Sequence, residues 1–226
     1  ARELAQARAM AAAAADAGVR HVVWSTLEDT REFVTPGSAM PVLGGGYNVP
    51  HFDAKGEANR AFVESGIPTT LLYTSFYWDN LIHFRLQPTR GVDGTLQFVL
   101  PMATARLPGI AAEDIGPCAF GIFARGETLA GKSVGIAGEQ LTGAQMAEQL
   151  TLALGEPVRH VAPSPREYAA LGFPGADDLA NMFQFKADFE RAYCAARNPA
   201  CARELHPGLQ SFAGWLARHG SRIPLQ

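Results

Sequence analysis

His51 and Lys55 lie four residues apart, in a stretch that reads as a helix opened by Pro50 and stopped at Gly66. Proline suits the first helical position, where its missing N–H costs nothing. The i, i+4 spacing sets the imidazole and the ammonium on one helix face. A histidine can carry a proton near pH 7, so this face holds a candidate proton donor. A second cluster, Tyr77-Trp78-Asp79-Asn80, follows directly on a stretch that reads as a strand, Thr69–Phe76. Ligands of open α/β sheets bind at the carboxyl ends of strands, so two aromatics, an acid and an amide there can line a pocket. Ser25 stands near the end of another strand-like run, Val19–Thr26, as a strand-end hydroxyl.

Other reactive residue types form no constellation. His21, His83, His160, His206 and His219 are scattered, none at metal-ligand spacing with carboxylates. The sequence implies no metal site. Ser133, Ser164 and Ser211 lack the glycine context of a hydrolase nucleophile. Glu113 with Asp114, and Asp177 with Asp178, sit at helix starts, where complementing the helix dipole explains them. Cys118, Cys194 and Cys201 are odd in number and lack C-x-x-C spacing, which suggests neither a disulfide framework nor a zinc site. Met182, Phe183, Phe185 and Phe189 form an apolar stripe expected in the core.

These residues are positioned by alternating helices and strands. An Ala-rich helix over 1–17 stops at Gly18, and the apolar strand Val19–Thr26 reads as buried on both faces. A loop over 28–49 holds Pro36, Pro41 and the triplet Gly44–Gly46, a flap more than a phosphate loop because it does not run from strand to helix. After the helix from Pro50 and the strand Thr69–Phe76 come a short helix over 77–85, a strand over 95–101, a helix over 113–123 and a strand over 132–138. Capping boxes Thr142–Gln145 and Ser164–Glu167 mark two helix starts. A short strand over 158–162 lies between them, and helices over 176–196 and 209–219 follow. The alternation predicts an α/β fold: a Rossmann-like, mostly parallel sheet with a smaller C-terminal α+β lobe. Residues 1–86 read as the remainder of the dinucleotide-binding part, and residues 87–226 as the substrate-side lobe packed on it.

The chain has 226 residues, 47% hydrophobic, with a formal net charge of −3. That length supports a sizeable core. The charge supplies no field that would draw the chain to nucleic acid. No apolar run approaches the ~18 residues of a membrane span, and no signal peptide opens the chain. The expectation is a cytoplasmic protein that contacts neither nucleic acid nor membrane. The chain begins without Met, inside a helix, and lacks the strand–glycine-loop–helix that normally cradles a dinucleotide pyrophosphate. The first strands of the sheet are therefore expected to be missing.

The segment HFDAKGEANRAFVESGIPTTLL (His51–Leu72), with VVWSTLED (Val22–Asp29), YWDN (Tyr77–Asn80) and GFPGADDLANMFQF (Gly172–Phe185), resembles the NmrA-like family, atypical relatives of the short-chain dehydrogenases/reductases. The resemblance covers nearly the whole chain. In reductases of that superfamily a Tyr and a Lys stand at i and i+4, the Lys holding the nicotinamide ribose. The resemblance matches this pair to His51 and Lys55, with the Tyr replaced, and matches Ser25 to the superfamily's catalytic Ser. It places Lys55, Tyr77, Trp78, Asp79 and Asn80 against the nicotinamide end of NADP or NAD in the full-length parent. Three readings follow: a dinucleotide-binding redox sensor that exchanges a protein partner or a second copy; an NAD(P)H-dependent reductase of a small carbonyl or quinone, with His51 or a water supplying the proton; or a chain too short to bind a dinucleotide at all.

Overall fold

A computed structural model describes residues 2–35 and 37–225. Ala1 and Pro36, part of the expected first helix and of the loop after the first strand, lie outside the described residues. The chain runs α1 (Arg2–Asp16), β1 (Val22–Thr26), α2 (Pro50–Glu64), β2 (Thr69–Tyr73), β3 (Phe76–Tyr77), α3 (Asn80–His83), β4 (Thr89–Arg90), β5 (Leu96–Val99), β6 (Arg106–Ile110), α4 (Ala112–Arg125), β7 (Ser133–Gly135), β8 (Glu139–Thr142), α5 (Gly143–Leu154), β9 (Val158–Val161), α6 (Pro165–Ala169), α7 (Ala176–Asp188), α8 (Glu190–Ala196), α9 (Pro199–Leu205) and α10 (Phe212–His219).

The architecture is α/β. β1, β2 and β7 form a wholly parallel sheet in that order, with Val22 opposite Thr69 and Leu71 opposite Ser133. Among the described residues β1 pairs only with β2, which leaves its other edge free of strand partners. α1 and α2 cover one face through Ala7, Ala11, Ala58 and Phe62, packed with Val22 and Trp24. α4 covers the other through Cys118 and Ile122, packed with Val23, Leu72 and Val134. Helices on both faces of a parallel sheet are the consequence of right-handed crossovers. No described helix is long and apolar enough to cross a membrane.

Two smaller three-stranded sheets complete the fold, ordered β3-β6-β8 and β4-β5-β9. The largest apolar cluster joins Phe52 and Trp78 to Leu96, Phe98, Phe185 and Trp215, so residues before and after position 86 share one core. Both capping boxes form, at Thr142–Gln145 and Ser164–Glu167. Three expectations on elements change. β6 and β8 appear where no strand is expected, because Pro108 and Gly109 make β6 read as loop. The helix expected over 176–196 breaks at Phe189, whose backbone leaves the helical region while its ring packs on Phe33 and Phe185. The strand expected over Thr69–Phe76 ends at Tyr73, and Tyr77 joins β3 instead of a helix.

Trp78 is the hinge of this packing. Its indole, 1% exposed, meets Phe212 and Trp215 at centroid distances of 5.3 and 6.4 Å. Glycines flank it: a Cβ on Gly109 would lie 2.3 Å from Trp78 Nε1, and one on Gly138 2.7 Å from Trp78 Cη2. A rigid ring enclosed by core has no room to yield. Gly109→Ala is expected to lower stability by about 1–3 kcal/mol, read as a lower urea midpoint at unchanged slope; an unchanged midpoint would show that the indole can move.

Candidate functional site

The carboxyl ends of β1 and β2 carry the residues singled out above. α2 starts behind them and places His51 and Lys55 one turn apart. His51 Nδ1 lies 2.7 Å from Asp178 Oδ2, in the first turn of α7. Its ring meets Phe52 edge-to-face at 4.9 Å. The imidazole is 39% exposed, and Nε2 has no partner among the described residues. Lys55 Nζ pairs with Glu3 Oε1 at 3.2 Å and sits 5.2 Å from the centre of the Trp24 ring. Ser25 is exposed on the free edge strand, and the next residue, Thr26, is buried with its hydroxyl donating to the Lys55 carbonyl. Strand end and helix are thus tied together.

The YWDN cluster divides. Tyr77 is half-buried, its hydroxyl 3.1 Å from Thr74 Oγ1, and Asn80 is half-buried at the start of α3. Trp78, expected to line the pocket, instead fills the core between Gly109 and Gly138. Asp79 accepts from the Ala112 N–H at 2.8 Å, satisfying a free donor at the start of α4. Both hold the wall more than they face an opening.

The loop between β1 and α2 is fastened by buried polar groups. Asp53, 0% exposed, accepts from Thr30 N–H at 2.7 Å, from the Thr30 hydroxyl, and from the Asn48 and Val49 N–H groups at 2.8 and 3.1 Å. One carboxylate thereby holds both ends of the loop and caps α2. Asn181, on α7, donates its amide to the Pro41 and Asn48 carbonyls. The Gly44–Gly46 triplet is an exposed single turn at the tip, with Gly45 and Gly46 at positive φ.

Beneath this loop lies a cluster of buried charge. Arg197 donates Nε to the Thr74 carbonyl at 2.7 Å and its two terminal nitrogens to the Glu28 carboxylate. Its guanidinium stacks on Tyr193 at 3.7 Å. Burial pushes the Tyr193 phenol up, and burial together with Glu28 raises that of Tyr73. Lys186 is 3% exposed and faces the rings of Phe52, Phe183 and Tyr193 at 5.5, 5.5 and 5.7 Å. It makes no ion pair among the described residues, and burial, with Arg197 nearby, pushes its ammonium down to about 7.

Sequence reading missed Asp53, Asp178, Lys186 and the Glu28–Arg197 pair. Asp178 reads as a dipole-complementing residue beside Asp177 until the fold brings His51 to it. Asp114, read in the same way, is also specifically bound, accepting from the Gln210 N–H at 2.9 Å. Lys186 left one usable signal: a cation at helical spacing from Met182, Phe183 and Phe189 of the apolar stripe.

A nicotinamide–ribose half fits this edge. Exposed Ser25, half-exposed Lys55 and the outward His51 offer hydroxyl, ammonium and imidazole at the strand ends. A pyrophosphate needs a row of backbone donors at a glycine loop and helix start, and the sequence has no such motif.

The parallel sheet covered by helices on both faces defines an α/β protein with a Rossmann-like fold. A model of the NmrA-like family matches residues 1–216, so the chain belongs to that family. It is 32% identical over 164 residues to the nitrogen metabolite repression protein nmr of Neurospora crassa, covering 68% of this chain and 31% of that protein. The chain thus spans about a third of that curated relative. A structure of NmrA, a negative transcriptional regulator, in complex with NADP superposes with a TM-score of 0.72 at 20% identity, over 94% of this chain and 68% of that one. An NADPH-dependent quinone oxidoreductase from Escherichia coli superposes with a TM-score of 0.70 at 20% identity, over 94% and 72%. These likenesses give the fold.

The Lys186 environment sets a pH dependence. Its folded value of about 7 lies below the ordinary 10.5, so between those values the unfolded chain binds more protons and stability rises with pH. Lys186→Met is expected to be more stable than the parent at pH 7, with the gap narrowing as pH rises towards 9, measured as urea midpoints. Arg197→Ala, which strands Glu28, is expected to cost about 3–5 kcal/mol.

Proposed function

We propose that this protein is a dinucleotide-binding regulatory protein, a redox sensor in which residues 2–225 supply the nicotinamide side of the NADP or NAD site. The reading is carried by His51 and Lys55 one turn apart on α2, whose backbone is held at Lys55 by Thr26, the residue after Ser25 at the carboxyl end of β1. A tyrosine is absent from the catalytic position, which favours sensing over turnover. The NADP complex of the structurally similar regulator supports the choice of ligand. Lys55 would hold the ribose, Ser25 and Asn80 would contact the carboxamide, and Tyr77 would border the ring. The output would be exchange of a protein partner or of a second copy, in the cytoplasm.

A second reading, an NAD(P)H-dependent reductase of a small carbonyl or quinone, is favoured by one feature, the exposed His51 imidazole held by a carboxylate. The structurally similar quinone oxidoreductase supports it.

The test is an NMR titration of the 226-residue chain with NADP+ and NADPH. Weak binding is expected, because the phosphates lack their glycine loop, with perturbations confined to Ser25, His51, Lys55 and Tyr77. Lys55→Ala is expected to weaken it at least tenfold. Perturbation elsewhere only, or none, would sink the proposal. NADPH consumption with quinones and aldehydes, lost in His51→Ala, would favour the reductase; identical responses to the oxidised and reduced forms would remove the sensor.

A further inference from the structure

A groove of about 590 Å³ runs between α5 and β9, with Glu148, Thr151, Leu152, Val158 and His160 among its walls. It shares no residue with the His51–Lys55 edge. Its strand side is an open sheet edge, since β9 pairs only with β5 among the described residues. The register fixes which groups face outward. The Val161 carbonyl accepts from the Leu100 N–H inside the sheet, so the N–H and C=O groups of Val158, His160 and Ala162 point the other way. At Val158 the Thr151 hydroxyl takes the N–H at 2.9 Å and closes the edge. At His160 and at the exposed Ala162, just past β9, no backbone partner crosses it among the described residues. The helix side carries Ala144, Glu148 and Leu152, all exposed and four residues apart, Leu152 by 84%. Four residues of helix advance about 6 Å, and two residues of strand roughly 6.6 Å. Alternate side chains of an added strand therefore fall in step with Glu148 and Leu152. No lysine or arginine lines the groove, so Glu148 faces no cation there. His160 Nε2 donates to the Leu100 carbonyl at 3.0 Å, because a carbonyl only accepts, and Nδ1 of the neutral ring is left an acceptor. The ring is pinned against α5, where a Cβ on Gly143 would lie 2.3 Å from Nε2. The groove thus offers acceptors, apolar surface and an unpaired sheet edge.

We propose that this groove docks an extended segment of a partner protein, added as a strand to the edge at His160 and Ala162, with a Lys or Arg facing Glu148 and an aliphatic residue two positions away facing Leu152. Main-chain hydrogen bonds supply the affinity, and the two side chains supply the specificity. A second copy of this chain suits the groove poorly, because a symmetric pairing sets the same acidic face against itself. The inference goes beyond the dinucleotide reading and holds whether or not a nucleotide binds.

An NMR titration of the 226-residue chain tests it with capped peptides. The probes are Thr-Lys-Val-Leu-Thr-Ser, the reversed order Thr-Leu-Val-Lys-Thr-Ser, and each of these with Glu in place of Lys. One lysine peptide is expected to perturb Glu148, Leu152, His160 and Ala162 saturably. Its glutamate counterpart is expected to bind about tenfold more weakly, since an exposed ion pair becomes a like-charge pair. Glu148→Lys is expected to reverse that preference, and Leu152→Ala to weaken binding several-fold; both side chains are exposed, so the fold is kept. N-methylation of successive backbone amides of the bound peptide separates strand addition from capture of side chains alone: only alternate positions are expected to abolish binding. Perturbation of these residues by none of the peptides, equal binding of lysine and glutamate peptides, or tolerance of every N-methyl group overturns the proposal. A dimer in sedimentation that Leu152→Glu disperses also overturns it, because the face then belongs to a second copy.

Discussion

Burying the Arg197 charge constrains the rest of the site. A guanidinium with no solvent must find its partners inside the protein. It finds them in the Glu28 carboxylate, after β1, and the Thr74 carbonyl, after β2, with Tyr193 against its flat face. One side chain from the end of α8 thus fastens the carboxyl ends of two parallel strands that are remote from it in sequence. Those ends cannot be pinned unless α7 and α8 fold back across them. Glu28 is engaged by Arg197, and Lys186, on α7, lies among aromatic rings with no ion pair among the described residues.

The same return of α7 organises the loop over the site. Asp53 closes the loop's two ends on the start of α2, and Asn181 holds its middle and its far end. Asp178, Asn181 and Phe185 recur at helical spacing and face α2 and its loop. One of the segments that carry the family resemblance, Gly172–Phe185, is therefore the segment that bolts the loop and orients His51. Close backbone contact reinforces this: a Cβ on Gly56 would lie 2.6 Å from Asp29 N, so α2 can approach the loop only with glycine there.

The carboxyl edge of the parallel sheet is asymmetric in chemistry. Lys55, Ser25 and His51 present an ammonium, a hydroxyl and an imidazole, groups suited to a ribose and a nicotinamide, whereas a pyrophosphate needs several convergent backbone N–H donors. Only side chains are offered here, at the ends of β1 and on the first turns of α2. Trp78 and Asp79 contribute indirectly, one by filling the core between Gly109 and Gly138 and the other by capping α4.

The sequence by itself determined the local pieces. Periodicity and Pro50 set α2, and with it the shared face of His51 and Lys55; apolar runs set β1 and β2; the Thr142–Gln145 and Ser164–Glu167 boxes set two helix starts, because each depends on residues within one turn. The α/β alternation and the family resemblance were legible for the same reason. Tertiary structure decided what depends on distant partners. β6 became a strand despite Pro108 and Gly109, since β3 and β8 flank it and the Trp78 indole requires glycine there. Trp78 went to the core and not to the pocket because Phe212 and Trp215 arrive to enclose it. Asp178 became the partner of His51, and Glu28 of Arg197, across 127 and 169 residues. No local pattern encodes such pairs, because the partners meet only once the chain has closed, and for Arg197 the desolvation of its charge exists only then.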